Sequence, residues 1–369
     1  MIDFELSEEQ QMIRDSVGAF ARDEIRPAAR PADESGAIPA PLVAKAWQFG
    51  FVSGAIPEKF GGGGDARSAV TGAIVAEELG FGDLSIAIHV LAPRLFAYPI
   101  VDMGTDDQRA KYLKRFSGAD FAAATAAVME PRFDFDLSAL QVSARRDGGG
   151  FVLNGAKCYV PLAAESDSML VYAATDAAKG FAGVDGFIVP RAAAGVTVSE
   201  REKNMGLKAL ATYELTLKDC RVGADARVGG DKGIDFSRLM SQSRVAFAAL
   251  GVGVMNAAFE YARDYAKERK AFGVPIATKQ AIAFILADMA IEIDAARLLV
   301  WEAAFKLDKG GDGLRESYLA KNYVAQSALK LTDNGVQVLG GHGYIREHPV
   351  EMWLRNARGF SAIDGIATV

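Results

Sequence analysis

Phe151-Val152-Leu153-Asn154-Gly155-Ala156-Lys157-Cys158-Tyr159-Val160 is the stretch on which the fold turns. Two apolar runs of strand length flank Asn154-Gly155, a dipeptide favoured in two-residue hairpin turns, so a β-hairpin is expected here. Further along, Thr212-Tyr213-Glu214-Leu215-Thr216-Leu217-Lys218 alternates and puts Tyr213, Leu215 and Leu217 on one face of a strand. Residues 169–173 and 186–189 are short apolar runs of the same length. Residues 122–227 therefore read as a small, mostly antiparallel β domain, and both flanks read as helix.

Upstream, Ser7-Glu8-Glu9-Gln10 is a capping box, in which Ser7 and Gln10 each satisfy the other's backbone N–H. Ile13, Val17 and Phe20 follow at helical spacing, and Pro27 and Pro31 are expected to end the run. Pro57 to Asp65, with four consecutive glycines, reads as a loop, residues 67–79 as a helix, and residues 84–102 as one buried helix. Downstream, long helices are expected over 245–267 and 316–339. Between them Ile282, Leu286, Met289, Ile293, Ala296 and Val300 recur in steps of three or four, the stripe of a core-facing bundle helix. Gly310-Gly311-Asp312-Gly313 is a helix–helix turn. The expected class is α+β: an N-terminal helical domain (1–121), a central β-barrel-like or antiparallel β domain (122–227) and a C-terminal four-helix bundle (228–369).

The 369 residues are 50% hydrophobic and 24% charged, a globular balance with room for a large core. Lys plus Arg number 41 against 47 Asp plus Glu, a net charge of −6 that disfavours nucleic acid as a partner. The two cysteines, Cys158 and Cys220, read as free thiols in a reducing compartment. Met1-Ile2-Asp3-Phe4-Glu5 lacks the basic start and apolar run of a signal peptide. No stretch approaches 18 uncharged apolar residues, so no membrane span and a cytoplasmic location are expected.

Most catalytic motifs are absent. His89, His342 and His348 form no HExxH pattern, and core or surface roles are expected for them. Gly251 and Gly253 fall inside a helix rather than after a strand, which argues against a dinucleotide fingerprint. Arg14, Arg22 and Arg26 read as a solvated helix face. Two segments stay unusual. Gln337 to Glu347 ends a helix in a glycine cluster, where backbone can approach a ligand closely. Glu268-Arg269-Lys270-Ala271-Phe272-Gly273 is either a basic helix end or a place where an arginine grips phosphate.

Taken together, these segments resemble the acyl-CoA dehydrogenase family of flavoproteins, over nearly the whole chain. Phe4 to Arg14 looks like the family's first helix and Phe60-Gly61-Gly62 like its early glycine loop. Met129-Glu130-Pro131 with Asp136 resembles the Thr-Glu-Pro…Gly-Ser-Asp signature, and Asn154-Gly155-Ala156-Lys157 the Asn-Gly-x-Lys motif. Met205-Gly206-Leu207-Lys208 with Thr212, then Glu268 to Gly273 with Gln280 and Ala287-Asp288-Met289, follow in family order. Gln337 to Tyr344, Pro349-Val350-Glu351 and Arg355-Asn356-Ala357-Arg358 complete the match.

The resemblance implies FAD at a dimer interface, in a homodimer or homotetramer, or in a heteromer. It implies Arg269, Phe272 and Gln280 at a neighbour's FAD pyrophosphate and ribityl region, Gln337, Gly340 and Gly341 at its adenine end, and Met129 and Tyr159 beside the ring. The implied reaction is α,β-dehydrogenation of an acyl-CoA, with an electron-transfer flavoprotein or similar acceptor. A carboxylate takes the α-proton and flavin N5 the β-hydride. Counting from Arg355 as the family counts from its Arg-Asp-Ala motif gives Asp364 as base, followed by Gly365. A base on the helix near Arg244 is closed off by Ser243, and Arg244 is left as a support for the substrate channel. Ala87, Ile88 and Leu91 fall at acyl-lining positions and carry no charge; Arg94 lies close by.

The chain also departs from the family. Asp364 is shorter than the usual Glu by about 1.5 Å, an offset that can cost on the order of a hundredfold in rate. Arg132-Phe133-Asp134-Phe135 replaces a glycine-rich loop, Met129 a Thr, Tyr159 a Trp, and Pro161 a hydroxyl residue with an N–H to donate. The family continues into a closing helix, and Ile366 stands for the Thr after its Glu-Gly pair. These departures keep two alternatives open: a catalytically silent subunit of a heteromer, and a flavin oxidase or monooxygenase on the same fold.

Overall fold

The computed structural model describes residues 5–369, so Phe4, at the start of the first-helix match, lies outside them. Helix α1 (Glu8–Phe20) begins with the reciprocal Ser7–Gln10 capping box. It does not stop at Pro27. A π-helical turn (Ala21–Ile25) leads directly into α2 (Arg26–Ser35), which ends at Gly36 with φ 70°. Pro27 falls in the first turn of α2, where a missing N–H costs little, and the wide π turn re-phases the helix ahead of it. Arg26 is likewise not solvated. Its guanidinium lies over the rings of Phe81 (4.3 Å) and Trp353 (4.8 Å) and donates to the Ala257 carbonyl at 3.3 Å. Burial pushes its pKa down to about 10.

Helices α3 (Ala40–Trp47), α4 (Ala69–Gly82), α5 (Leu84–Leu91), α6 (Arg94–Met103) and α7 (Asp106–Tyr112) complete the first helical layer. The single helix expected over 84–102 is two, broken at Ala92-Pro93, though its burial is as expected.

Seven strands follow: β1 (Thr125–Ala127), β2 (Ser143–Asp147), β3 (Gly150–Pro161), β4 (Ser168–Ala174), β5 (Val184–Pro190), β6 (Val196–Arg201) and β7 (Thr212–Gly223). Their order is β1-β4-β2-β3-β7-β6, with β5 also on β4. Only the pairings of β1 and β2 with β4 are parallel. Asn154-Gly155 is not a hairpin turn. β3 runs straight through it, and the tight turn is at Gly148-Gly149, between Asp147 and Gly150. Instead the dipeptide makes a β-bulge against β7. Asn154 Oδ1 accepts the Asp219 N–H at 2.8 Å, and Gly155 takes φ 132° close against Val142.

The C-terminal domain holds three long helices, α8 (Phe236–Glu268), α9 (Gln280–Asp308) and α10 (Leu314–Leu339), then α11 (Gly341–Tyr344) and α12 (Val350–Ala357). A two-stranded ribbon, β8 (Lys270–Ala271) and β9 (Val274–Pro275), joins α8 to α9. Gly253 lets α8 press against the α4 backbone at Glu77 and Phe81, and Gly80 lets α4 press against Leu250. Gly253 thus serves the crossing of α8 with α4, while Gly251 makes room for Val324 of α10 and the Phe360 ring. No run of 18 uncharged apolar residues occurs, but two segments with few charges reach the length and mean hydropathy of a membrane span. Residues 84–103 and α8 are long and apolar enough by composition, but 89% and 78% of those windows are buried within the fold. Cys158 and Cys220 are free and buried.

Candidate active site

Asp364 follows the short helical turn Arg358–Ser361 after α12 and points between α8 and α10. Its Oδ2 lies 3.3 Å from Lys321 Nζ on α10 and 3.9 Å from Arg244 Nε on α8. Its Oδ1 accepts the Gly365 N–H at 3.1 Å, and its own backbone N–H donates to Met129 Sδ at 3.2 Å. Gly365 has φ 72° and packs so tightly on Val128 that a Cβ would fall 2.6 Å from the valine's. This explains why a glycine follows the aspartate. The fold therefore brings Asp364, Gly365, Arg244 and Met129 into one buried cluster. Lys321 belongs to it too and was missed, because a lysine in mid-helix reads as an exposed face.

Arg244 is buried, its Nε makes no hydrogen bond, and its guanidinium stands 5.3 Å from the Tyr318 ring centre. Ala87, Ile88 and Leu91 are fully closed within the same hydrophobic core that contains Met129 and Ile366. Arg94 is buried, donating its Nε–H to the Phe51 carbonyl at 2.7 Å.

Tyr159 sits at a second bulge of β3 with φ 51°. It lines a cavity of about 190 Å³ with Leu207, Arg355, Asn356, Ile363 and Ile366. Its N–H donates to Glu202 Oε1 at 3.2 Å, and the Cys158 N–H to the Met129 carbonyl at 2.9 Å. These two backbone donors, at and next to Tyr159, are thus engaged within the protein. Glu202, which nothing in the sequence marks out, is the acceptor for one of them.

Beneath this cavity Asp33, 4% exposed, takes a two-pronged bond from Arg355 (3.0 and 2.8 Å), with Arg346 at 3.4 Å and Lys208 at 3.9 Å. Asn356 Oδ1 accepts the Leu207 N–H at 2.7 Å. The Arg355-Asn356 pair of the last signature therefore ties the N-terminal helices and the β domain together. Burial raises the Asp33 pKa, but the surrounding cations outweigh it and leave the carboxyl below its ordinary value.

A second constellation stands at the other end of α8. Arg269, Phe272, Gln337, Gly340 and Gly341 surround a cavity of about 760 Å³, with Tyr265 and His342. Gln280 lies beside it, exposed at the start of α9. Phe272 is 95% exposed. Gly340 has φ 59°, and where a Cβ would stand on either glycine there is open space. The Arg269 side chain has no partner among the described residues. A free guanidinium beside bare backbone suits a phosphate-bearing cofactor such as FAD. Tyr265 O–H and Tyr261 O–H bond Nδ1 of His342 and His348 at 2.8 and 2.7 Å, and the two imidazoles stack at 5.4 Å. The third histidine, His89, stacks on Phe121, and burial pushes its pKa down to about 4.

The chain thus combines a helical layer, a curled sheet carrying Met129 and Tyr159, and a helical domain with Asp364 between two of its helices and Arg269 beside a glycine turn. Three family models match the chain: "Acyl-CoA dehydrogenase, N-terminal domain" over residues 7–119, the middle domain over 125–220 and the C-terminal domain over 233–369. The chain is 35% identical over 367 residues to a 3-(aryl)acrylate reductase of Clostridium sporogenes, spanning 98% of this chain and 96% of that protein. It is 32% identical to the mitochondrial short-chain specific acyl-CoA dehydrogenase of Bos taurus, over 99% of this chain and 89% of that one. The butyryl-CoA dehydrogenase structure from Megasphaera elsdenii superposes with a TM-score of 0.88 at 30% identity, covering 100% of this chain and 96% of that one. The chain belongs to the acyl-CoA dehydrogenase family, FAD-dependent oxidoreductases acting on the CH–CH group of acyl-CoA.

Proposed function

We propose that the protein catalyses α,β-dehydrogenation of an acyl-CoA thioester, with Asp364 as the base. The observation that carries this reading is the Asp364 carboxylate, 13% exposed, set beside Met129 of the β domain and between α8 and α10. Bound FAD supplies the hydride acceptor. Arg269, Phe272, Gln280, Gln337, Gly340 and Gly341 would hold its nucleotide end, and Met129 and Tyr159 would lie beside its ring. Asp364 Oδ2 takes the α-proton, while the Gly365 N–H holds Oδ1 in place. Enclosure of the carboxylate keeps water from competing for that proton. Ala87, Ile88 and Leu91, at the acyl-lining positions that the family resemblance implies, carry no charge but have no exposed surface, so they carry no argument about the tail. Reducing equivalents pass on to an electron-transfer flavoprotein or a similar acceptor, and the working form is a homodimer or homotetramer.

The test is the visible spectrum of the purified protein, followed anaerobically through a series of acyl-CoAs. A flavin band that bleaches with one substrate supports the reading and names the acyl group. Asp364→Asn is expected to keep FAD and lose bleaching; full activity in that variant would sink the assignment. The name of the clostridial relative favours including 3-arylacrylates, free and as thioesters, with the reduced protein, since the same proton transfer serves both directions.

A further inference from the structure

We propose that Lys321 is a positioning residue that sets the Asp364 carboxylate in its working orientation, with Arg244 as the second arm of the clasp; this rests on the function proposed above. Asp364 Oδ2 is the only acidic atom that either cation meets among the described residues. Lys321 Nζ has no other hydrogen-bond partner, and its side chain is 13% exposed. Arg244 is more deeply buried, with no hydrogen bond from Nε. Two buried cations on one carboxylate are costly to desolvate and are offset only while that carboxylate stays between them.

The clasp answers a problem the sequence raises. An aspartate reaches less far than a glutamate, and a short, loop-borne side chain has several rotamers available. The loop alone fixes only Oδ1, through the Gly365 N–H. Oδ2 is aimed by groups from two different helices, α8 and α10. Tyr318, one turn before Lys321 on α10, carries the Arg244 guanidinium over its ring and holds the second arm in register. The clasp acts on geometry alone: protonating Asp364 removes the charge from between the two cations, a cost to the step that the aim of the carboxylate outweighs.

The experiment measures the rate of anaerobic flavin bleaching by the best acyl-CoA in the wild type and in Lys321→Gln, Lys321→Arg, Asp364→Asn and the double variant K321Q/D364N. FAD content and the spectral shift on binding a non-reducible acyl-CoA analogue are recorded for each. Lys321→Gln is expected to slow bleaching by roughly ten- to a hundredfold, with analogue affinity and FAD content unchanged. Lys321→Arg is expected to restore most of the rate. D364N and K321Q/D364N should both fail to bleach and bind the analogue equally well, because Lys321 acts through Asp364. Bleaching in Lys321→Gln at the wild-type rate overturns the inference and leaves the function standing. So does weaker analogue binding in the double variant than in D364N, or a loss of rate that only follows lost FAD. A wild type that binds FAD and bleaches with no acyl thioester overturns the function and this inference with it.

Discussion

Lys157 is wholly buried and joins two sequence signatures: its Nζ donates to the Val128 carbonyl at 2.7 Å and pairs with Glu130 Oε1 at 3.2 Å. Glu130 in turn accepts the backbone N–H groups of Gln141 and Val142. The lysine of the bulged strand thus fixes the loop that presents Met129. Burial pushes the Lys157 pKa down to about 8, with Glu130 pulling against it. Lys157→Met leaves Glu130 with Arg132, at 3.2 Å, and the two backbone N–H groups, and is expected to cost about 1–3 kcal/mol in urea unfolding. Adding Glu130→Gln should recover part of that loss. A double variant as unstable as the single one would show that the charge is not the cause.

Glu78 predicts a pH dependence of opposite sign to ordinary acid unfolding. Burial, and then neighbouring Glu77, push its pKa up to about 7. The folded state therefore holds a proton that the unfolded chain releases above about pH 4.5. Stability contributed by protonated Glu78 is complete below that point and is lost as pH rises through about 7. Glu78→Gln should melt higher than wild type at about pH 8 and match it at about pH 4. Identical melting profiles across that range would contradict the assignment.

Two glycines should respond in opposite ways to a methyl group. Gly253→Ala forces a side chain into the α4 backbone at Glu77 and Phe81 and is expected to destabilise by about 1–3 kcal/mol or more. Gly341→Ala meets open space at a negative φ and should leave thermal stability unchanged while weakening FAD uptake. Flavin content and melting temperature, measured together, separate the two roles.

Local rules read from the sequence succeed where one signal has one structural outcome. The Ser7–Gln10 box and the apolar alternation of Tyr213, Leu215 and Leu217 are as expected. They fail where a residue type serves two geometries. Asn154-Gly155 suits a tight turn and a bulge alike, and only pairing with the distant Asp219 decides between them. Pro27 stops most helices, but a π turn just before it leaves the proline harmless in a first turn. Arg26 looks solvated until Phe81 and Trp353 close on it. At the site, Asp364 is legible only through the spacing of a family motif. Lys321 and Glu202 are invisible, since no local pattern marks a charge whose partner lies on another element.

The length of α8 has a consequence for how a flavin enzyme is completed. Arg244, beside Asp364, and Arg269, beside the glycine turn, stand on one helix and its cap. At about 1.5 Å per residue they are roughly 37 Å apart. On the function proposed above, a cofactor with its ring at Asp364 and its phosphates at Arg269 would draw on two polypeptides. A mixture of Asp364-defective and Arg269-defective chains would then regain one intact centre at each junction where the sound halves meet.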